Sequence, residues 1–125
     1  SIGLVGSEMC IRDRYDYMRI ARLMLDDWQN DTCVGKYLKT IFESRYAKNV
    51  SAKYNPFDYS KSYAGMMHTG FKNFSSKRPV MGMHGYGGQQ VVIDFENSRI
   101  VIAHSVHGNW DDKKIIYSLI KNGIN

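Results

Sequence analysis

Between Tyr17 and Trp28 the apolar residues Tyr17, Ile20, Ala21, Met24 and Trp28 recur at helical spacing, with Arg19, Arg22 and Asp26 off that stripe. The spacing predicts a helix with Asp16 as its N-cap and an Arg22–Asp26 pair one turn apart. Gln29-Asn-Asp-Thr32 breaks the pattern, and Thr32 is placed to cap a second helix. Val34, Tyr37, Leu38, Ile41 and Phe42 form that helix's apolar face. Periodicity fails from Lys48 to Ser62, where Asn55-Pro56 marks a turn or loop. Strand-like sequence then runs from Tyr63 to Phe71, and a polar stretch from Lys72 to Arg78 is predicted to be exposed. Three stronger strands follow: Val80 to His84, Gln89 to Phe95, and Ile100 to Val106. Glu96-Asn-Ser-Arg99 is the tight connection between the last two. Asp111 or Asn109 caps a final helix that turns Ile115, Ile116, Leu119 and Ile120 inward and ends before Gly123. The order of helices, antiparallel strands and a closing helix gives an α+β fold, an antiparallel sheet packed with helices.

The 125 residues suffice for one domain or a part of one. An apolar share of 43% with 13% aromatic residues can build a core, and no apolar run is long enough to span a bilayer. The net charge of +5 is spread along the chain without a basic cluster, so it reads as a solvated surface and no nucleic-acid partner is expected. The nine tyrosines are better explained as core than as stacking platforms for bases. Two cysteines, Cys10 and Cys33, make neither a disulfide framework nor a metal-ligand pattern, and they leave the compartment open.

Residues 1–14 stand apart. Met9-Cys-Ile-Arg-Asp13 resembles the in-frame translation of a transposon adapter used in sequencing libraries. On that reading the leader is a non-native scar, Cys10 is not native, and a partial domain occupies residues 15–125.

Candidate chemistry concentrates in Pro79 to Val106. Gly82, Gly85, Gly87 and Gly88 sit inside strand-forming sequence, where glycine costs backbone entropy and wants a bulge or a closely approaching ligand as its reason. His104-Ser-Val-His107 has no third ligand nearby and reads as structural, so no metal is expected. Gly85-Tyr-Gly87 is not a dinucleotide fingerprint: Gln90 stands where the third glycine belongs, and a strand follows instead of a helix. No cofactor is expected.

A Gly-rich strand, a hairpin and a C-terminal helix resemble the C-terminal end of the serine β-lactamase-like superfamily, which includes class C β-lactamases, penicillin-binding DD-peptidases and related esterases. Tyr15-Asp-Tyr-Met-Arg-Ile-Ala-Arg-Leu-Met-Leu-Asp-Asp27 is similar to a mid-chain helix of that family. The resemblance covers about Tyr15 to Lys121 and implies the C-terminal portion of the β-lactamase/transpeptidase-like fold. It also implies a parent that hydrolyses a small-molecule ester, amide or β-lactam-like substrate through an acyl-serine. Such a parent is expected in the periplasm or secreted. By alignment of Gly87-Gly88-Gln89 with the family's trailing glycines, the strand motif falls at Met83-His84-Gly85. The backbone N–H of Tyr86 then becomes an oxyanion-hole donor, and Met83, His84, Gly85 and Gly87 become substrate-facing positions.

Several positions depart from the family pattern. Met83 stands where Lys or His is usual, and strand alternation sends His84 to the other face unless a bulge turns it inward. A literal His68-Thr69-Gly70 competes for the motif but lacks the following hairpin. The only Ser-x-x-Lys, Ser118 to Lys121, lies in the terminal helix, where it reads as a chance match, and no Tyr-x-Asn exists. The chain by itself is therefore expected to be inactive. The alternative is a non-catalytic binding module whose Gly-rich groove holds a ligand.

Overall fold

The computed structural model describes residues 2–47, 60–71, 74–85, 89–103 and 112–123. Helix α1 (Ile2–Gln29) and helix α2 (Cys33–Glu43) come first. Strands β1 (Tyr46–Ala47), β2 (Ser60–Ala64), β3 (Met67–Phe71), β4 (Val80–Gly85), β5 (Gln89–Asp94) and β6 (Arg99–Ala103) follow, and helix α3 (Asp112–Asn122) comes last. The strands form one sheet in chain order, every neighbouring pair antiparallel. The α+β expectation holds at this level.

Two cores flank the sheet. On one face Ala21 and Leu25 of α1 and Leu38 and Phe42 of α2 bury Met67, Met81, Val91 and Ile93. On the other, Ile116 and Ile120 of α3 close over Val80, Val92 and Phe71. Strand alternation supplies both, since odd and even positions of β4 and β5 are apolar alike. Trp28 seals the first core beside the sheet, stacked on Phe95 with ring centroids 4.5 Å apart and edge-on to Phe42.

Several sequence expectations need correction. Helix α1 runs unbroken from Ile2, so Asp16 lies inside it and pairs with Arg19 at 2.9 Å instead of capping. Tyr17 and Ile20 are exposed, and the buried stripe is Ala21 and Leu25 flanked by Met24 and Trp28. Val34 and Tyr37 are likewise exposed on α2. A flat sheet covers only one side of a helix, and Leu25, Leu38 and Phe42 already fill it. The proposed strand Tyr63–Phe71 is two strands, β2 and β3, divided by a turn at Gly65-Met66 with φ of 53° and 66°. Two left-handed residues reverse the chain with the twist a tight hairpin needs.

Other expectations stand. Thr32 caps α2, its Oγ1 accepting from the Gly35 N–H at 3.1 Å. Asp31 reaches across the same turn to Lys39 at 2.9 Å, and that hydrogen-bonded ammonium holds its carboxyl below the ordinary value. Gly123 ends α3 at φ 75°, donating to Leu119 O at 2.8 Å. The candidate caps Asn109 and Asp111, the side chain of Ile115, and Asn55-Pro56 lie outside the described residues.

Candidate functional site

Strand β4 carries the glycine-rich motif, and its setting decides what each residue meets. It pairs with β5 in unbroken register from Val80↔Asp94 to Gly85↔Gln89. No inserted residue interrupts that ladder, so alternation applies throughout. Met83 pairs with Val91 and packs, half-buried, against the core beneath α1 and α2. Gly85 follows on that same face by alternation. His84 turns to the opposite face, so the motif's three residues are not brought together around one pocket. The Tyr86 N–H assigned to the oxyanion hole, together with Gly87 and Gly88, lies outside the described residues. So do His104 and His107.

Gly82 has a packing reason. A Cβ there would stand 3.2 Å from Phe71 Cζ and 3.3 Å from Val92 Cγ2, so the ring of Phe71 occupies the space a side chain would need. Phe71 arrives there because Gly70 takes φ 65° and breaks the alternation that keeps Met67 on the other face.

On the face of His84 the sheet assembles a cluster the sequence reading did not anticipate. His68 lies opposite Gly82 in the β3–β4 register, and its ring meets His84 edge-on with centroids 4.9 Å apart. Tyr63 contacts His68 from β2 at 5.0 Å, and Tyr46 meets Tyr63 at 6.1 Å. Ser60 Oγ and His68 Nδ1 are hydrogen-bonded at 3.2 Å. A hydroxyl beside an imidazole is the geometry of an activated nucleophile. Ser60, however, is fully buried, so its hydroxyl orients the ring and has no route to a substrate. His68-Thr69-Gly70 and Met83-His84-Gly85, the two candidate motif segments, thus lie side by side on β3 and β4. Spacing alone did not join them, because the pairing depends on a loop register that local sequence does not encode.

The competing motif residue Thr69 is buried and donates to Val80 O at 2.8 Å, tying β3 to β4. Ser118 sits exposed on α3, one turn from Lys121 on the same terminal helix. Among the described residues, no group of three or more His, Cys, Asp or Glu side chains is placed to hold a metal ion. No helix among them is long and apolar enough to cross a membrane.

A buried charge network lies at the other end of the same strands. Asp94, fully buried, accepts from Arg78 Nε at 3.0 Å and Nη2 at 2.5 Å, from the Glu96 and Asn97 N–H groups at 3.1 Å, and from Asn97 Nδ2 at 2.9 Å. That carboxylate closes the β5–β6 turn as well as the ion pair. Arg78 also donates to Ile120 O, and Arg99 to Ile120 O and Lys121 O, at 3.2, 3.0 and 2.7 Å. The arrangement neutralises a helix C-terminus and is structural.

Comparison with models of known protein families, with curated proteins and with solved structures finds no match to this chain.

Proposed function

We propose that the chain is the C-terminal part of a β-lactamase-related serine hydrolase that cleaves an ester or amide through an acyl-serine. The observation that carries this reading is strand β4. It is a glycine-bearing strand inside an antiparallel meander, followed by a hairpin and an amphipathic helix, and it directs Met83 and Gly85 to the face that carries α1 and α2. In this reading that face is the substrate side, and the Tyr86 amide is one of two donors to the developing oxyanion. A preset backbone donor suits that work because it needs no reorganisation as charge develops, and losing one costs about 3–4 kcal/mol. His84 lies on the far face of the strand, its ring edge-on to that of His68.

The serine and its base belong to the parent's upstream part. The 125-residue chain is accordingly inert as it stands. Purified and offered nitrocefin and a p-nitrophenyl ester, it is expected to turn over neither. The reading frame extended ahead of Tyr15 is expected to carry Ser-x-x-Lys before Tyr-x-Asn or Tyr-x-Ser, and its product to hydrolyse at least one of the two. Turnover by the short chain, or a native start codon close to Tyr15, overturns the proposal. The latter result favours a self-sufficient binding module.

A further inference from the structure

Of the asparagines in this chain only Asn122 precedes a glycine. In that dipeptide the glycine nitrogen can attack the asparagine Cγ with no side chain in the way, so it is the pair most prone to spontaneous deamidation. The attack needs the Gly123 nitrogen released from its hydrogen bond and swung towards the Asn122 side chain. The fold denies both conditions. Asn122 is the last residue of α3, so its helical backbone turns the following nitrogen back along the helix. The Gly123 N–H donates to Leu119 O at 2.8 Å, and φ 75° at Gly123 completes the left-handed ending. Arg99 holds that ending closed. Its Nη1 donates to Ile120 O at 3.0 Å and to Lys121 O at 2.7 Å, the two carbonyls that precede Asn122. The guanidinium also lies against Gly123, where a Cβ would stand 3.3 Å from Arg99 Nε and from Nη2. Arg78 adds a third bond, to Ile120 O at 3.2 Å. A helix end frays because its last carbonyls have no partner within the helix, and here side chains supply those partners.

We propose that Asn122 is a deamidation site kept latent by Arg99, converting only when the end of α3 comes away from the sheet. In the reaction the Gly123 nitrogen loses its proton and bonds to Asn122 Cγ. The Cγ–Nδ2 bond breaks, and Nδ2 leaves as ammonia with that proton. Water then opens the cyclic imide to aspartate or isoaspartate, and nothing is oxidised or reduced. Asn122 is exposed, so water reaches it directly. Isoaspartate adds one carbon to the main chain between Asn122 and Gly123, which takes the Gly123 N–H out of register with Leu119 O. The change loosens the end of α3 and does not reverse. This inference does not rest on the hydrolase reading, since it uses no residue of the Gly82–Gly88 stretch.

The purified chain and the same chain unfolded in urea are incubated in mildly alkaline buffer, and aspartate plus isoaspartate at Asn122 is followed by peptide mapping. The unfolded chain is expected to convert at least about tenfold faster than the folded one. Arg99→Met keeps most of the side-chain stem and removes every donor. It is expected to speed conversion in the folded chain roughly tenfold, as the loss of charge-assisted hydrogen bonds at the helix end implies. Circular dichroism checks that the variant is folded. Should it unfold, Arg99→Lys, which keeps the charge but not the planar fork, takes its place with an expected rise of roughly threefold. Equal rates in the folded and unfolded wild-type chains overturn the proposal. A folded Arg99 variant that converts at the wild-type rate also overturns it, because the helix end is then protected without Arg99.

Discussion

Individual residues in this chain show how backbone conformation, and not only side-chain chemistry, sets what the sequence can tolerate. Met66 holds φ 66° in the β2–β3 turn with 82% of its surface exposed. A left-handed conformation costs a residue with a Cβ roughly 1–2 kcal/mol, and nothing about an exposed methionine offsets that. Met66→Gly is therefore expected to raise the unfolding free energy by about 0.5–1 kcal/mol after glycine's own entropy cost, measured by urea denaturation. Gly82 makes the opposite point. The sequence marks it as unusual, and glycine in a strand does have a reason here, but the reason is the ring of Phe71 and not a ligand. A run of glycines reports close approach without saying what approaches.

At the scale of elements, the helices and the three later strands were legible because their apolar positions repeat cleanly. Val80–His84 became Val80–Gly85, and Gln89–Phe95 became Gln89–Asp94. What periodicity could not supply was the share of an apolar face that tertiary packing would use. Tyr17, Ile20, Val34 and Tyr37 fit helical stripes yet stay exposed, because the sheet has room only for Ala21, Leu25, Leu38 and Phe42. Ser60, Lys61 and Ser62 at the start of β2 escaped notice as strand since their polar composition carries little alternation. The α1–α2 contact was also invisible, although Gly35 is where the two backbones come close. A Cβ there would stand 1.9 Å from Asp27 O and 3.0 Å from Trp28 Cα. Gly35→Ala should gain about 1 kcal/mol of helix propensity and still lose about 2 kcal/mol net, because the clash is with backbone that cannot rotate away. Thermal unfolding of the variant, with the Thr32 cap intact, measures that difference.

Across the whole molecule, one face of the sheet holds α1 and α2 and the other α3, and the ion pair of Arg78 with Asp94 connects turn, sheet and last helix. Removing one member leaves a buried charge without its partner, which costs about 3–5 kcal/mol. Arg78 is 17% exposed, so Asp94→Ala is expected at the lower end, about 3 kcal/mol, with the midpoint of urea unfolding falling accordingly. The candidate site was legible only in part at this scale. Alternation correctly separated His84 from Met83, since it depends on nothing but strand geometry. The meeting of His68 with His84 depends on how two strands align, which residues far apart in the chain decide together. Arg78 and Arg99, finally, pin the far end of the chain. The carbonyls that close α3 are held by side chains from the segments leading into β4 and β6, so the terminal helix is fastened to the sheet at two separate points. A chain severed between those two strands would keep the Arg99 contacts to the helix end and lose only that of Arg78.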